Sequence, residues 1–201
     1  MLKENLLAKK SEVQCLGCEI GVLEEFDDLV NLLASEEFDI EFVFLTSNIK
    51  YSETIENIIT NKKSHMVISL DSGCEETYKK IKRVPYFNQV VDNIKKYISM
   101  TKKNNPNIIL KYIIVEKLND NKEEIEKFLT LISEIGIKRV RLDVEYLSFI
   151  DKLKDQIPLH YYELFHYAKK RTVELGLELD SYKYENELLT EYKPIELITK
   201  D

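Results

Sequence analysis

The sequence predicts an α/β fold: a partial (β/α) barrel of about five to six parallel β/α units. Three observations carry this. Apolar runs of strand length alternate five times with stretches of helical periodicity. The connections between strands are long enough for right-handed crossovers. The run Met66-Val67-Ile68-Ser69-Leu70-Asp71-Ser72-Gly73 begins as a continuous apolar strand and ends in small and polar residues, the pattern of a strand buried on both faces of a parallel sheet. In such sheets ligands bind where strands end, so Ser69, Asp71 and Ser72 stand where side chains leave the core. At 201 residues the chain is shorter than the about 250 of a complete eightfold barrel. An open doubly wound sheet satisfies the same periodicity and stays open as an alternative.

Taken in order, Glu12-Val13-Gln14-Cys15-Leu16 alternates as a first strand and breaks at Gly17-Cys18-Glu19-Ile20-Gly21, where two glycines permit a tight turn beside a ligand. Val22, Phe26, Leu29, Val30 and Leu33 then fall on one face of a helix. Residues 38–45 form a second strand that begins as alternation, becomes solidly apolar and stops at Thr46-Ser47-Asn48. Ser52 is placed to cap a helix carrying Ile55, Ile58 and Ile59, and the run from Met66 is the third strand. A short helix over 75–82 leads into a longer one with Phe87, Val90, Val91, Ile94, Tyr97 and Ile98 at helical spacing, closed by Asn104-Asn105-Pro106. Residues 108–115 are the fourth strand.

Asn119-Asp120-Asn121 caps the next helix, with Glu124 in a capping-box-like position, Ile125, Phe128, Leu129, Ile132 and Ile135 inward, and Gly136 at its end. Residues 140–146 alternate as a fifth strand. Pro158 opens a helix with the stripe Tyr161, Leu164, Tyr167, Ala168 and Leu175, and a short strand follows near 177–179. The expected organisation is a polar leader over 1–11, the partial barrel over 12–181 and a polar tail over 182–201.

Composition narrows the function classes. A net charge of −7 disfavours binding to a phosphate backbone, and the cluster Lys79, Lys80, Lys82 and Arg83 fits a solvated helix face as well as any partner. No nucleic acid and no membrane are expected, because the leader holds only Leu6-Leu7-Ala8 as an apolar stretch. A cytoplasmic location follows. Three cysteines, Cys15, Cys18 and Cys74, suit reduced thiols better than a disulfide framework. The three histidines are scattered and make no metal constellation. The twelve tyrosines fall mostly at helix-face positions, where packing accounts for them.

The polar strand ends form a collinear set. They are Gly17-Cys18-Glu19, Thr46-Ser47-Asn48-Ile49, Ile68-Ser69-Leu70-Asp71-Ser72-Gly73 followed by Glu76-Thr77-Tyr78-Lys79-Lys80-Ile81, and Lys111-Tyr112-Ile113-Ile114 with Leu118-Asn119-Asp120-Asn121. Over about residues 12–150 this series resembles the radical S-adenosylmethionine family, whose second strand ends in a Gly-Gly-Glu turn and whose third ends in a Thr-Asn-Gly sequence. The resemblance implies S-adenosylmethionine as cofactor. It also implies a 4Fe-4S cluster on a C-x-x-x-C-x-x-C loop after the family's first strand, a spacing found nowhere in this sequence. The expectation is therefore a chain matching the family from its second strand onward, inactive alone, with the cluster supplied by a missing N-terminal segment or another chain. Its partner would be a complementing N-terminal half or the full-length homologue, and its substrate a small molecule of unspecified class.

By that resemblance the candidate cofactor-binding residues are Glu19, Ser69, Asp71, Lys111 and Asp143. Glu19 would accept a charge-assisted bond from the cofactor ammonium, or simply stand as a solvated carboxylate at a helix N-terminus. Ser69 and Asp71 either bond ribose hydroxyls or form a buried turn in which Asp71 or Ser72 caps the following helix. Lys111, inside an apolar strand, wants a carboxylate partner, either the cofactor's or Asp71, unless it points to solvent. Asp143 and Glu145 share a strand face and either meet a ligand or face water. The alternative to a family enzyme part is a noncatalytic β/α module that binds a nucleotide-like ligand or a protein partner. An unrelated barrel enzyme using Glu19, Asp71, Lys111 and Asp143 for acid-base chemistry is the third reading, with nothing to fix their pairing.

Overall fold

The computed structural model describes residues 10–16, 25–34, 39–61, 64–100, 107–144 and 159–180. Six strands, β1 (Lys10–Cys15), β2 (Asp39–Thr46), β3 (His65–Ser69), β4 (Ile108–Ile114), β5 (Arg139–Val144) and β6 (Glu178–Leu179), form one sheet. All pair in parallel, in sequence order. The helices between them are α1 (Phe26–Leu33), α2 (Glu53–Asn61), α3 (Glu75–Lys82), α4 (Phe87–Met100), α5 (Lys122–Ile135) and α6 (Leu159–Glu174). Because every crossover steps the same way along the sheet, right-handed connections put every helix on one face. The order never reverses, so the sheet is singly wound as in a barrel, and the doubly wound alternative is set aside. Among the described residues β1 and β6 do not pair, and the sheet is not closed.

The core lies between the helices and one strand face. Ile40, Phe42 and Phe44 of β2, Met66 and Ile68 of β3, Leu110 and Tyr112 of β4 and Leu142 of β5 are buried there against Val30, Ile55, Val90, Ile94, Phe128 and Ile132. The expected helix stripes are largely met. Ser52 Oγ accepts the Ile55 N–H at 3.2 Å and caps α2. Asn121 Oδ1 accepts the Glu124 N–H at 3.0 Å, and Gly136 ends α5 at φ 84°.

Four differences are informative. Strand β1 starts at Lys10, since main-chain pairing of Lys10 and Ser11 with Asp39 and Ile40 needs no apolar side chain. Strand β2 alternates in burial along its length and is not solidly buried at its end, because Val43 and Leu45 point to the face that no helix covers. Leu29 is exposed, as it lies at the margin of the α1 stripe centred on Phe26 and Val30. Phe165, outside the expected stripe of α6, is buried. The Gly17–Gly21 turn, Val22, the stop at 104–106, Glu145, Tyr146, Pro158, the leader to residue 9 and the tail lie outside the described residues. No helix among those described is long and apolar enough to cross a membrane.

Two residues fasten the loops after β3 and β4. Gly73 presses so closely on α5 that an added Cβ would sit 2.2 Å from the Lys127 carbonyl carbon and 2.2 Å from the Phe128 nitrogen. Asn119 is fully buried. Its Nδ2 donates to the carbonyls of Asp71 (2.9 Å) and Ile113 (2.8 Å), and its Oδ1 accepts the Val115 N–H at 2.6 Å. Its own carbonyl accepts the Tyr112 hydroxyl at 2.7 Å, and burial pushes that phenol's pKa well above the ordinary value.

Substituting Gly73→Ala should therefore push the β3–α3 loop off α5 and cost about 3 kcal/mol, or about 6–12 °C in Tm for a chain of this size, read by thermal unfolding. Asn119→Asp keeps one acceptor but sets a carboxylate against two carbonyls. It should cost about 3 kcal/mol, seen as a lower urea midpoint at unchanged slope.

Candidate functional site

Parallel strands send side chains alternately to two faces, and register sets like-facing residues side by side. With Leu110 and Tyr112 committed to the helical core, Lys111 and Ile113 face the uncovered side. Ser69 of β3 is in register with Lys111, and Ile113 with Asp143 of β5. Ser69, Lys111 and Asp143 thus share one wall near the C-terminal ends of three neighbouring strands. Lys111 Nζ lies 3.0 Å from Asp143 Oδ2, and its side chain is only 16% exposed. A largely buried ammonium needs a carboxylate, and the one it takes is Asp143, not Asp71. Asp143 Oδ1 also accepts the Val144 N–H at 2.9 Å, which fixes its rotamer.

Asp71 lies one step behind this wall. Strand β3 ends at Ser69, and Asp71 takes a left-handed backbone at φ 60°, a conformation tolerated better by Asp than by most residues. Its carboxylate is thereby turned along the sheet. Oδ1 accepts the Ile113 N–H at 2.8 Å, and Oδ2 accepts the Ser69 hydroxyl at 3.3 Å and an ion pair from Lys82 of α3. Ser72 bonds the backbone of Cys74, its Oγ accepting the N–H at 3.1 Å and donating to the carbonyl at 2.7 Å. The N-cap of α3 is Cys74, not Asp71 or Ser72.

At the end of β2, Thr46 Oγ1 accepts the Asn48 N–H at 2.9 Å, and Asn48 adopts φ 58°. Asn93 of α4 donates to the carbonyls of Asn48 and Ile49, both at 3.0 Å. The Asn48 side-chain amide is itself buried, and its Nδ2 has no acceptor. Lower on the uncovered face, His65 Nδ1 lies 3.7 Å from Glu41 Oε1. Burial depresses the His65 pKa, Arg139 and Arg141 add to the effect, and Glu41 and Asp180 oppose it. Arg141 closes on Asp180 at 2.5 Å. Glu19 lies outside the described residues, as do Cys18 and Glu145.

The described thiols do not converge. Cys15 is in register with Phe44 and packs on the helical side, whereas the Cys74 Sγ is 3.4 Å from Thr77 Oγ1 at the start of α3. Among the described residues no group of three His, Cys, Asp or Glu is placed to hold a metal ion, so these residues do not fit an iron–sulfur cluster. They fit a small zwitterionic ligand better: a hydroxyl, an ammonium and a carboxylate stand in a row, with an unsatisfied amide donor at a neighbouring strand end. An open groove of about 540 Å³ between α5 and α6 lies on the helical side, away from this wall.

Two residues that shape the site were not singled out from sequence. Lys82 belongs to a basic cluster whose other members, Lys79, Lys80 and Arg83, are exposed, and nothing in the run marks which one turns inward. Asn119 reads as one of three equivalent capping residues. Only its distance to Asp71 and Ile113 separates it from Asn121.

The family model of the Radical SAM superfamily matches residues 2–132. Among solved structures, the chain is similar to a domain of pyruvate-formate lyase-activating enzyme from Bacteroides vulgatus ATCC 8482, at 15% identity and TM-score 0.64, covering 85% of this chain and 98% of that one. It is similar to native anSMEcpe with bound AdoMet at 14% identity and TM-score 0.61, covering 90% and 51%. A radical SAM methyltransferase from Sphaerobacter thermophilus matches at 12% identity and TM-score 0.51, covering 77% and 45%. The chain thus spans about half the length of the last two. No curated protein sequence matches it. The likeness to these structures is one of fold, and the family match extends from residue 2 through β4 and most of α5: the chain belongs to the radical SAM superfamily.

Proposed function

We propose that this chain is the S-adenosylmethionine-binding part of a radical SAM enzyme, inactive alone. The observation that carries the proposal is the row Ser69, Lys111 and Asp143 on the face that none of the described helices covers. S-adenosylmethionine offers a ribose diol, a carboxylate and an ammonium, and the row offers a partner for each. Ser69 bonds a ribose hydroxyl, with Asp71 behind it. Lys111 meets the cofactor carboxylate, and Asp143 holds Lys111 in place while meeting the ammonium. Glu19, on the connection after β1, is assigned to the same ammonium by the family pattern. Once bound, the cofactor supplies the carbon–sulfur bond that the family cleaves, and this chain's share is orientation.

The sequence holds no C-x-x-x-C-x-x-C spacing, and in this reading a 4Fe-4S cluster would be supplied by a missing N-terminal segment or another chain. A complementing N-terminal half or a full-length homologue is the proposed partner. The edge at β1 supports this: Leu16 after the strand and Leu29 and Leu32 on α1 are 53%, 55% and 59% exposed, an apolar margin of the kind that marks contact sites. The same margin also suits the alternative reading, a noncatalytic β/α module that binds a nucleotide-like ligand or a protein partner. Cys74 is a free thiol, consistent with a cytoplasmic setting.

Calorimetry with S-adenosylmethionine tests the site. Ser69→Ala and Lys111→Met should each weaken binding about tenfold, the value of a hydrogen bond to a charged or strongly polar group, whereas Glu41→Gln, lower on the same face, should not. Equal affinity in all three variants would remove the assignment. Anaerobic reconstitution with iron and sulfide should leave this chain without a 4Fe-4S absorption, and a stoichiometric cluster on Cys15, Cys18 and Cys74 would overturn the claim that the ligands come from elsewhere.

A further inference from the structure

We infer that Asp71 is a positioning residue held in a clasp by Lys82: it fixes the end of β3 and aims the Ser69 hydroxyl, and it does not itself touch the ligand. The inference rests on the proposed site for the identity of the ligand, but not for the clasp. Asp71 is 2% exposed, and both carboxylate oxygens are engaged, Oδ1 by the Ile113 N–H at 2.8 Å and Oδ2 by Ser69 at 3.3 Å and by Lys82. A ribose hydroxyl reaching this carboxylate would have to displace the ammonium or a backbone donor. Ser69, by contrast, is half-buried on the uncovered face beside Lys111, where its oxygen keeps lone-pair capacity while its proton is spent on Asp71. The hydroxyl then serves the ligand as an acceptor.

Lys82 is the remote half of the device. It sits in the last turn of α3, eleven positions after Asp71. Lys80 pairs with the exposed Glu76, and Lys82 alone of the basic cluster turns inward. Losing its charge leaves a buried carboxylate without a countercharge. The carboxylate then gains by rotating toward water, which releases the Ile113 N–H and the Ser69 proton together. A helix residue that makes no ligand contact thus sets ligand affinity through one serine.

The test uses S-adenosylmethionine as probe and four backgrounds, wild type, Lys82→Met, Asp71→Asn and their double variant, each with Ser69 intact and as Ser69→Ala. Positioning predicts that both single variants weaken binding by the same factor, about tenfold. The double variant loses no more than either, and neither has any effect once Ser69 is alanine. Lys82→Arg should restore affinity. A loss confined to Asp71→Asn, with Lys82→Met unchanged or tighter, makes Asp71 a ligand contact and overturns the inference. Amide hydrogen exchange at Ile113 in the ligand-free chain separates the clasp from the site: exchange should quicken severalfold in both single variants, and unchanged exchange removes the clasp. If the wild type fails to bind S-adenosylmethionine while Ile113 exchange responds as expected, the proposed site falls and the clasp stands.

Discussion

The seam where β3 parts from β4 sets the geometry of the whole ligand-facing end. A parallel ladder needs an acceptor for each inward N–H. Beyond Ser69, β3 turns away, and Asp71 in its left-handed conformation offers a carboxylate to Ile113 where a strand carbonyl would have stood. Asn119 completes the repair by taking the carbonyls of Asp71 and Ile113 on one amide. Buried backbone groups left without partners cost enough to prevent such a parting. Leu70 and Asp71 N–H still reach the Lys111 carbonyl, and the two side chains satisfy the remaining backbone groups where the strands part, beside Ser69 and Lys111.

The sheet's winding explains why polar groups gather on one face. Among the described residues the six strands run in sequence order with the helices packed on one face, and charged residues on the other face find partners sideways across the strands. They do so in pairs, Glu41 with His65, Lys111 with Asp143, and Arg141 with Asp180. A complete barrel fills its interior with branched apolar side chains. Here Val67 and Ile109 are buried apolar residues on that face, and ionic pairs surround them. The result is a polar wall whose groups are preorganised by one another before any ligand arrives.

Much of this was legible in the sequence, for a physical reason. Element type follows from periodicity, and periodicity is local: the stripes of α2, α4 and α5, the Ser52 and Asn121 caps, the Gly136 stop and the polar strand ends are all set within a few residues. The candidate wall was legible as residue types at strand ends, and Ser69, Lys111 and Asp143 do come together. Pairing was not legible. Lys111 could be assigned a carboxylate in general, but choosing Asp143 over Asp71 requires the register of β4 against β5 and the left-handed turn at Asp71, both tertiary facts. Lys82 and Asn119 stayed invisible for the same reason, since each acts on a residue that folding alone brings near.

The two edges of the sheet are built differently, and the difference bears on where a partner attaches. Strand β6 is two residues long, and its flank is tied down by Asp180 to Arg139 and Arg141. Short edges with committed charges resist further pairing. Among the described residues no strand pairs with the outer side of the six-residue β1, and α1 exposes Leu29 and Leu32. The proposed partner, by adding a strand in parallel to β1 and laying a helix over these leucines, would extend the sheet by its own rule.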